Sequence, residues 1–282
     1  MNYQDKLMTL AREVAAEYAQ KPGMEAILLT GSVAHGRTDG VSDVDMMLYF
    51  HELPSPEQLE REKETAVASG GGIYSYEPGE GLACYHFING TKVDFGYQTS
   101  SELATLLEAF VAEPSVDDKT HHIIMSGIQT GVPLFGEPML REWQAKLAAL
   151  PPSFGQAFVE RHLRFSPVAV AQEMGADRGD YGLVYELLLE MVPNVLNVLC
   201  GLNGLIPPGK IKGLDGWLAK MTVTLPNIRE RMAAIWTVGP ETAVSHFYAI
   251  VHDLIGLVET QMPQVDTQPV RRRLQLQLRQ YG

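Results

Sequence analysis

Asp43 and Asp45 stand one residue apart, where a Gly- and Asp-rich loop runs into the apolar segment VDMMLYF, residues 44–50. On a strand, side chains at i and i+2 share a face, so both carboxylates point the same way. At ~4 Å and an effective dielectric near 20, two such charges repel by roughly 4 kcal/mol. Two arrangements relieve this. One carboxylate can take up a proton, which gives an acid/base pair, or a divalent cation can sit between them. Hard oxygen donors suit Mg²⁺, which takes one or two carboxylates together with substrate phosphates.

The neighbouring residues favour the cation. The apolar run EAILLT (25–30) ends at Gly31-Ser32. A glycine there lets backbone N–H groups approach an anion closely, and the serine hydroxyl adds another donor. A short helix beginning at VAHG would add the positive potential of its N-terminus. A third carboxylate, Asp94, lies in TKVDFGYQ, where Lys92 and Asp94 alternate with Val93 and Phe95 and so share a polar face. A strand bearing Asp94 beside 44–50 completes a cluster with about the ligand charge that two metal ions need.

The stretch GSVAHGRTDGVSDVD, with its preceding strand and the later Asp94, resembles the Gly-Ser, spacer, Asp-x-Asp signature of the DNA polymerase β-like nucleotidyltransferase superfamily. The resemblance covers residues 27–97. The general plan is similar to that of two-domain antibiotic nucleotidyltransferases acting on aminoglycosides and lincosamides. It implies that Gly31 and Ser32, with Ser42 nearby, hold the triphosphate of ATP or another nucleoside triphosphate. It implies that Asp43 and Asp45 ligate two Mg²⁺ ions and that Asp94 completes the catalytic metal site. An acceptor hydroxyl then attacks the α-phosphorus in line and pyrophosphate leaves, positioning and charge neutralisation doing most of the catalysis. GSVAHGRT also approximates a P-loop with Arg37 in the lysine position, but a P-loop runs into a long helix and Asp39-Gly40 follows at once.

The second half of the chain adds four candidates. Glu186 and Glu190 lie four apart on an otherwise apolar helix. They are either its polar edge or a general base for the acceptor hydroxyl. Lys210 and Lys212, on the Pro-Gly loop IPPGKIKG, are either solvated or reach the triphosphate, as a lysine of the helical domain often does in enzymes of this resemblance. The implied acceptor is a small molecule, an antibiotic leading; an acidic chain favours a cationic one. The alternatives are a catalytically degenerate nucleotide sensor, and an enzyme that modifies a protein side chain or an RNA end.

These groups need a scaffold, and 282 residues with 45% hydrophobic and 20% charged residues supply an ordinary globular one. A net charge of −12 disfavours extended nucleic acid as a partner. Cys84 and Cys200 lie far apart without a CxxC, which fits a reducing cytoplasm. The N-terminus lacks the pattern of a signal peptide. The apolar stretch 183–206 carries Glu186, Glu190, Asn194 and Asn197, so it reads as a core helix rather than a membrane span. Helices are expected at 5–19, 55–69 (capped by Ser55), 100–112 and 117–130, and a hairpin about Asn89-Gly90. SGGGIY reads as a flexible connection and GVPLFGEP as turn. From 153 onward the segments 153–174, 180–202, 213–221, 226–237, 240–261 and 266–280 read as helices. The expected fold is α+β with an α/β-type N-terminal half: a mixed sheet flanked by helices in a catalytic domain, 1–136, followed by an all-α domain, 137–282.

Overall fold

In the computed structural model, which describes residues 2–77, 79–209 and 213–277, the two apolar runs become the centre of a mixed sheet. The elements of the first unit are α1 (Tyr3–Tyr18), β1 (Met24–Thr30), α2 (Gly31–Ala34), β2 (Val44–Phe50), α3 (Pro56–Ala68), β3 (Gly72–Glu77), β4 (Gly81–Ile88), β5 (Thr91–Thr99), α4 (Ser100–Ala112), α5 (Lys119–Thr130), β6 (Val132–Phe135) and α6 (Glu137–Ala148). The six strands pair in the order β3-β4-β5-β2-β1-β6. β2 and β5 run parallel, and the other pairs are antiparallel.

Local chemistry sets these boundaries. Ser55 and Gln58 form a reciprocal capping box at the start of α3, with Pro56 in the first turn. Asn89 and Gly90 both have positive φ, 51° and 74°, as a two-residue hairpin turn of the type that matches strand twist requires.

Alternation then sorts the faces. Val44, Met46, Leu48 and Phe50 of β2 and Val93, Phe95 and Tyr97 of β5 join Leu7, Leu10, Val14 and Tyr18 of α1 in one core. On the other face Tyr49 meets Trp143 of α6 edge-on, with ring centroids 5.3 Å apart. β2 is therefore covered on both sides, as its unbroken apolar pattern implies. Asp45 and Asp94 have the opposite parity to the α1-facing residues, so they lie on the α6 side.

Two strands depart from the sequence expectation. SGGGIY is not a free connection, because Gly72 opens β3. A Cβ at Gly71 would stand 1.9 Å from the Tyr85 carbonyl oxygen of β4. Glycine serves that close approach and erases the two-residue period that would have announced a strand. GVPLFGEP contains the four-residue edge strand β6, where Pro133 is tolerated because an edge needs fewer N–H donors.

Contacts divide the chain between Leu150 and Pro151. The second unit contains α7 (Pro152–His162), a π-helical turn at Val170–Gly175 and a 3₁₀ turn at Ala176–Arg178. It continues with α8 (Tyr181–Leu202), α9 (Leu214–Leu218), α10 (Ile228–Ile235), α11 (Pro240–Gln261) and α12 (Gln268–Leu274). None of its described residues is in a strand. The expected helix at 153–174 is interrupted, with Pro167 standing in the gap. α8 has the length and composition of a membrane span. However, Val184, Leu188, Val195 and Leu199 pack with Phe247, Val251, Leu254 and Val258 of α11 in one core. It continues through Pro193. The fold is α+β.

Behind β5, a polar group ties α1 to α3. Tyr18 Oη donates to Glu62 Oε1 at 2.5 Å, and Lys21 Nζ donates to Oε2 at 2.6 Å. Burial pushes the Glu62 carboxyl up, but the bonds from Lys21 and Tyr18 outweigh it and hold it below the usual range. A lowered folded pKa means this stability is present above the ordinary carboxylate range and is lost as pH falls through the lowered value. Lys21→Met leaves a mostly buried carboxylate short of a charged donor and costs about 1.5–3 kcal/mol near neutrality. Urea unfolding across pH tests this: the gap from the wild type should close in acid, as Glu62 takes up its proton.

Candidate metal and phosphate site

The site is a row across one face of the sheet. Thr30 of β1 pairs with Asp45, Asp45 with Asp94, Asp94 with Tyr85, and Tyr85 with Gly72. Residues directly opposite each other put their side chains on one face, so Asp45, Asp94 and Tyr85 project together. Asp43 lies one residue before β2. One carboxylate oxygen from each of Asp43, Asp45 and Asp94 lies within 4.8 Å of the other two. Oxygens on opposite sides of one Mg²⁺ stand about 4 Å apart, and paired metal ions stand about 3.5–4 Å apart. A spread of that size lets one ion, or a pair of ions, draw on all three carboxylates once the side chains close in.

A cationic side chain stands within this cluster. Lys92 Nζ donates to Asp94 Oδ2 at 2.5 Å and to Asp43 Oδ2 at 3.1 Å. It also lies 5.6 Å and 5.3 Å from the ring centroids of Tyr74 and Tyr85. Burial pushes the ammonium pKa down, but the bonds to Asp94, Tyr74 and Asp43 more than offset this and hold it above the ordinary lysine value. Tyr74 Oη donates to the remaining oxygen of Asp94, Oδ1, at 2.8 Å. The oxygen donors are hard and negative, and a positive group already sits among them. The residues fit a divalent ion of the Mg²⁺ kind.

The candidate phosphate turn is formed by β1 and α2. Gly31 has a φ of 68°, in the left-handed region that glycine enters at little cost. Its missing side chain is needed as well, because a Cβ there would stand 1.8 Å from Asp45 Oδ2. Gly31 therefore turns the chain and makes room for the carboxylate in one step. α2 is a single turn opening at Gly31-Ser32, and the first N–H groups of a helix have no partner within it. Gln4 of α1 holds this turn from behind, donating to the Val33 carbonyl at 2.8 Å. Ser42 belongs to the Asp39–Ser42 turn: its Oγ donates to Asp39 Oδ1 at 3.0 Å and accepts from the Asp39 N–H at 2.9 Å.

Thus the first unit brings Gly31, Asp45 and the carboxylates of Asp43 and Asp94 together, with Ser32 and Ser42 on the connecting turns. Glu186 and Glu190 belong to the second unit, on the exposed side of α8 beside Tyr185 and Leu189. Lys210 and Lys212 lie outside the described residues. The sequence reading did not assign a role to Lys92, although its parity with Asp94 already put the two on one face. Tyr74 escaped it because β3 did.

No protein-family model matches the chain, and no curated protein does. Among solved structures it is similar to a nucleotidyltransferase-like protein from Exiguobacterium sibiricum 255-15, at 13% identity and a TM-score of 0.37. The match covers 94% of this chain and 80% of that one. A likeness that loose carries no residue or activity across, and the site stands on its own geometry.

Gly31→Ala forces a side chain both into the left-handed region and onto Asp45. The strain costs about 1–2 kcal/mol, while the displaced carboxylate lowers Mn²⁺ affinity by roughly tenfold or more. Calorimetric Mn²⁺ titration with a thermal melt separates the two effects; unchanged metal affinity in a folded variant would refute the placement of Asp45.

Proposed function

We propose that the chain is a metal-dependent nucleotidyltransferase. It moves a nucleoside monophosphate, AMP from ATP in the first instance, to a hydroxyl of a small-molecule acceptor and releases pyrophosphate. The observation that carries this reading is the convergence of Asp43, Asp45 and Asp94 within 4.8 Å, one strand away from the Gly31-Ser32 turn. A carboxylate cluster without a phosphate cradle would suit many ions, and a cradle without the cluster would suit many anions. The two side by side suit a triphosphate that arrives with Mg²⁺.

When bound, the divalent ions would neutralise the triphosphate and the leaving pyrophosphate. The chain's own residues do the rest. The Gly31-Ser32 backbone and the Ser32 hydroxyl hold the phosphates on the β1 side. Asp43 and Asp45 would hold the metal from the start of β2. Asp94 faces the acceptor and receives its hydroxyl proton as the oxygen approaches phosphorus. The phenol of Tyr74 donates to Asp94 Oδ1 and gives up that bond when the acceptor hydroxyl takes its place. The residues given these roles all lie in the first unit. Buried, unpaired Cys84 and Cys200 suit a reducing cytoplasm.

Incubation with α-labelled ATP, Mg²⁺ and a panel of hydroxyl acceptors should transfer label and release pyrophosphate. Chelation should abolish transfer, and Asp45→Asn should slow it by roughly 100-fold or more. Transfer that persists unchanged in Asp45→Asn would refute the assignment, and tight ATP binding without transfer to any acceptor would favour a nucleotide sensor.

A further inference from the structure

We propose that Lys92 is an internal counter-ion: it occupies the carboxylate cluster when no metal is bound and yields its place when a metal arrives with a triphosphate, so that the two bind cooperatively. The proposal rests on the reading of the site given above and adds a coupling that the reading itself does not require.

Three observations carry it. The ammonium touches Oδ2 of Asp43 and Oδ2 of Asp94, at 3.1 and 2.5 Å, which are carboxylates of the candidate metal set. It cannot keep both contacts while an ion takes those oxygens at about 2.1 Å, because two cations at that spacing repel strongly. Second, its placement is structural. β2 and β5 pair in parallel through Val44 and Val93, and Lys92 precedes Val93 as Asp43 precedes Val44, so the strand register sets the lysine beside Asp43. Third, the rings of Tyr74 and Tyr85 lie within cation–π range of the ammonium, so the resting position is supported from the β3–β4 side as well.

The consequence is a competition that a triphosphate relieves. A metal ion entering alone must eject the ammonium from two carboxylates with nothing offered in exchange. An ion entering with phosphates brings oxygens that can receive it, and the flexible four-carbon stem of lysine can follow them. Nucleotide should therefore tighten metal binding, and by linkage metal should tighten nucleotide binding by the same factor.

The test is calorimetric Mn²⁺ titration, with and without α,β-methylene ATP, on the wild type, Lys92→Met and Lys92→Arg. Lys92→Met should bind Mn²⁺ alone about tenfold or more tighter than the wild type, and the analogue should add little further. In chelator it should melt below the wild type, because the carboxylates then lose the positive charge of Lys92, and Mn²⁺ should restore it. Lys92→Arg keeps the charge and should keep the weak binding and the coupling. If the wild type binds Mn²⁺ and Lys92→Met, shown to be folded by circular dichroism, binds it equally or more weakly, the proposal is overturned. An equal analogue effect in both proteins overturns it too. If the wild type takes up Mn²⁺ neither alone nor with the analogue, the reading of the site falls, and this inference with it.

Discussion

Three carboxylates that repel one another must be held on one face of a sheet, and the first unit is arranged around that constraint. Asp43 and Asp45 come from one strand and its approach, Asp94 from its parallel neighbour, and the β2–β5 register brings them level. Such an arrangement persists only where something positive compensates it. Lys92 does so, held between Asp43 and Asp94. The same electrostatics that make the cluster costly to assemble make it a receptor for cations.

The rigidity behind the row comes from the opposite face. Val93 and Phe95 of β5 and Val44 and Met46 of β2 are buried, so neither strand can rotate without exposing them. Tyr18 stacks on Phe95 at 4.8 Å between ring centroids, and its hydroxyl continues into Glu62 and Lys21. Support and candidate site thus alternate along β5: Val93, Phe95 and Tyr97 join the core with α1, and Lys92 and Asp94 face the cluster.

That alternation is why the centre of the site could be read from sequence. Asp43 and Asp45, and Lys92 and Asp94, are pairs with a spacing of two, and a period of two survives without any knowledge of the fold. The Asn89-Gly90 turn and the Ser55 cap were legible because each residue answers a local backbone demand. β3 was not legible, because its opening glycines serve a contact with the Tyr85 backbone that only the paired sheet reveals. With β3 went Tyr74, which reaches Asp94 from twenty positions away in sequence. The clearance between Gly31 and Asp45 Oδ2 is likewise a fact of three dimensions: the sequence supplies the glycine, and the fold supplies its reason.

The parallel pairing of β2 with β5 also governs where this chain can change length. A residue added between Gly90 and Asp94 would invert the parity of β5 and turn the carboxylate toward Tyr18 and the apolar core, since one step of slippage exchanges the two faces of a strand. A residue added between β2 and α3 leaves the Asp45–Asp94 pairing and the parity of β3 as they are. Evolutionary insertions and deletions should therefore gather between β2 and α3 and spare the short interval from the hairpin turn to Asp94.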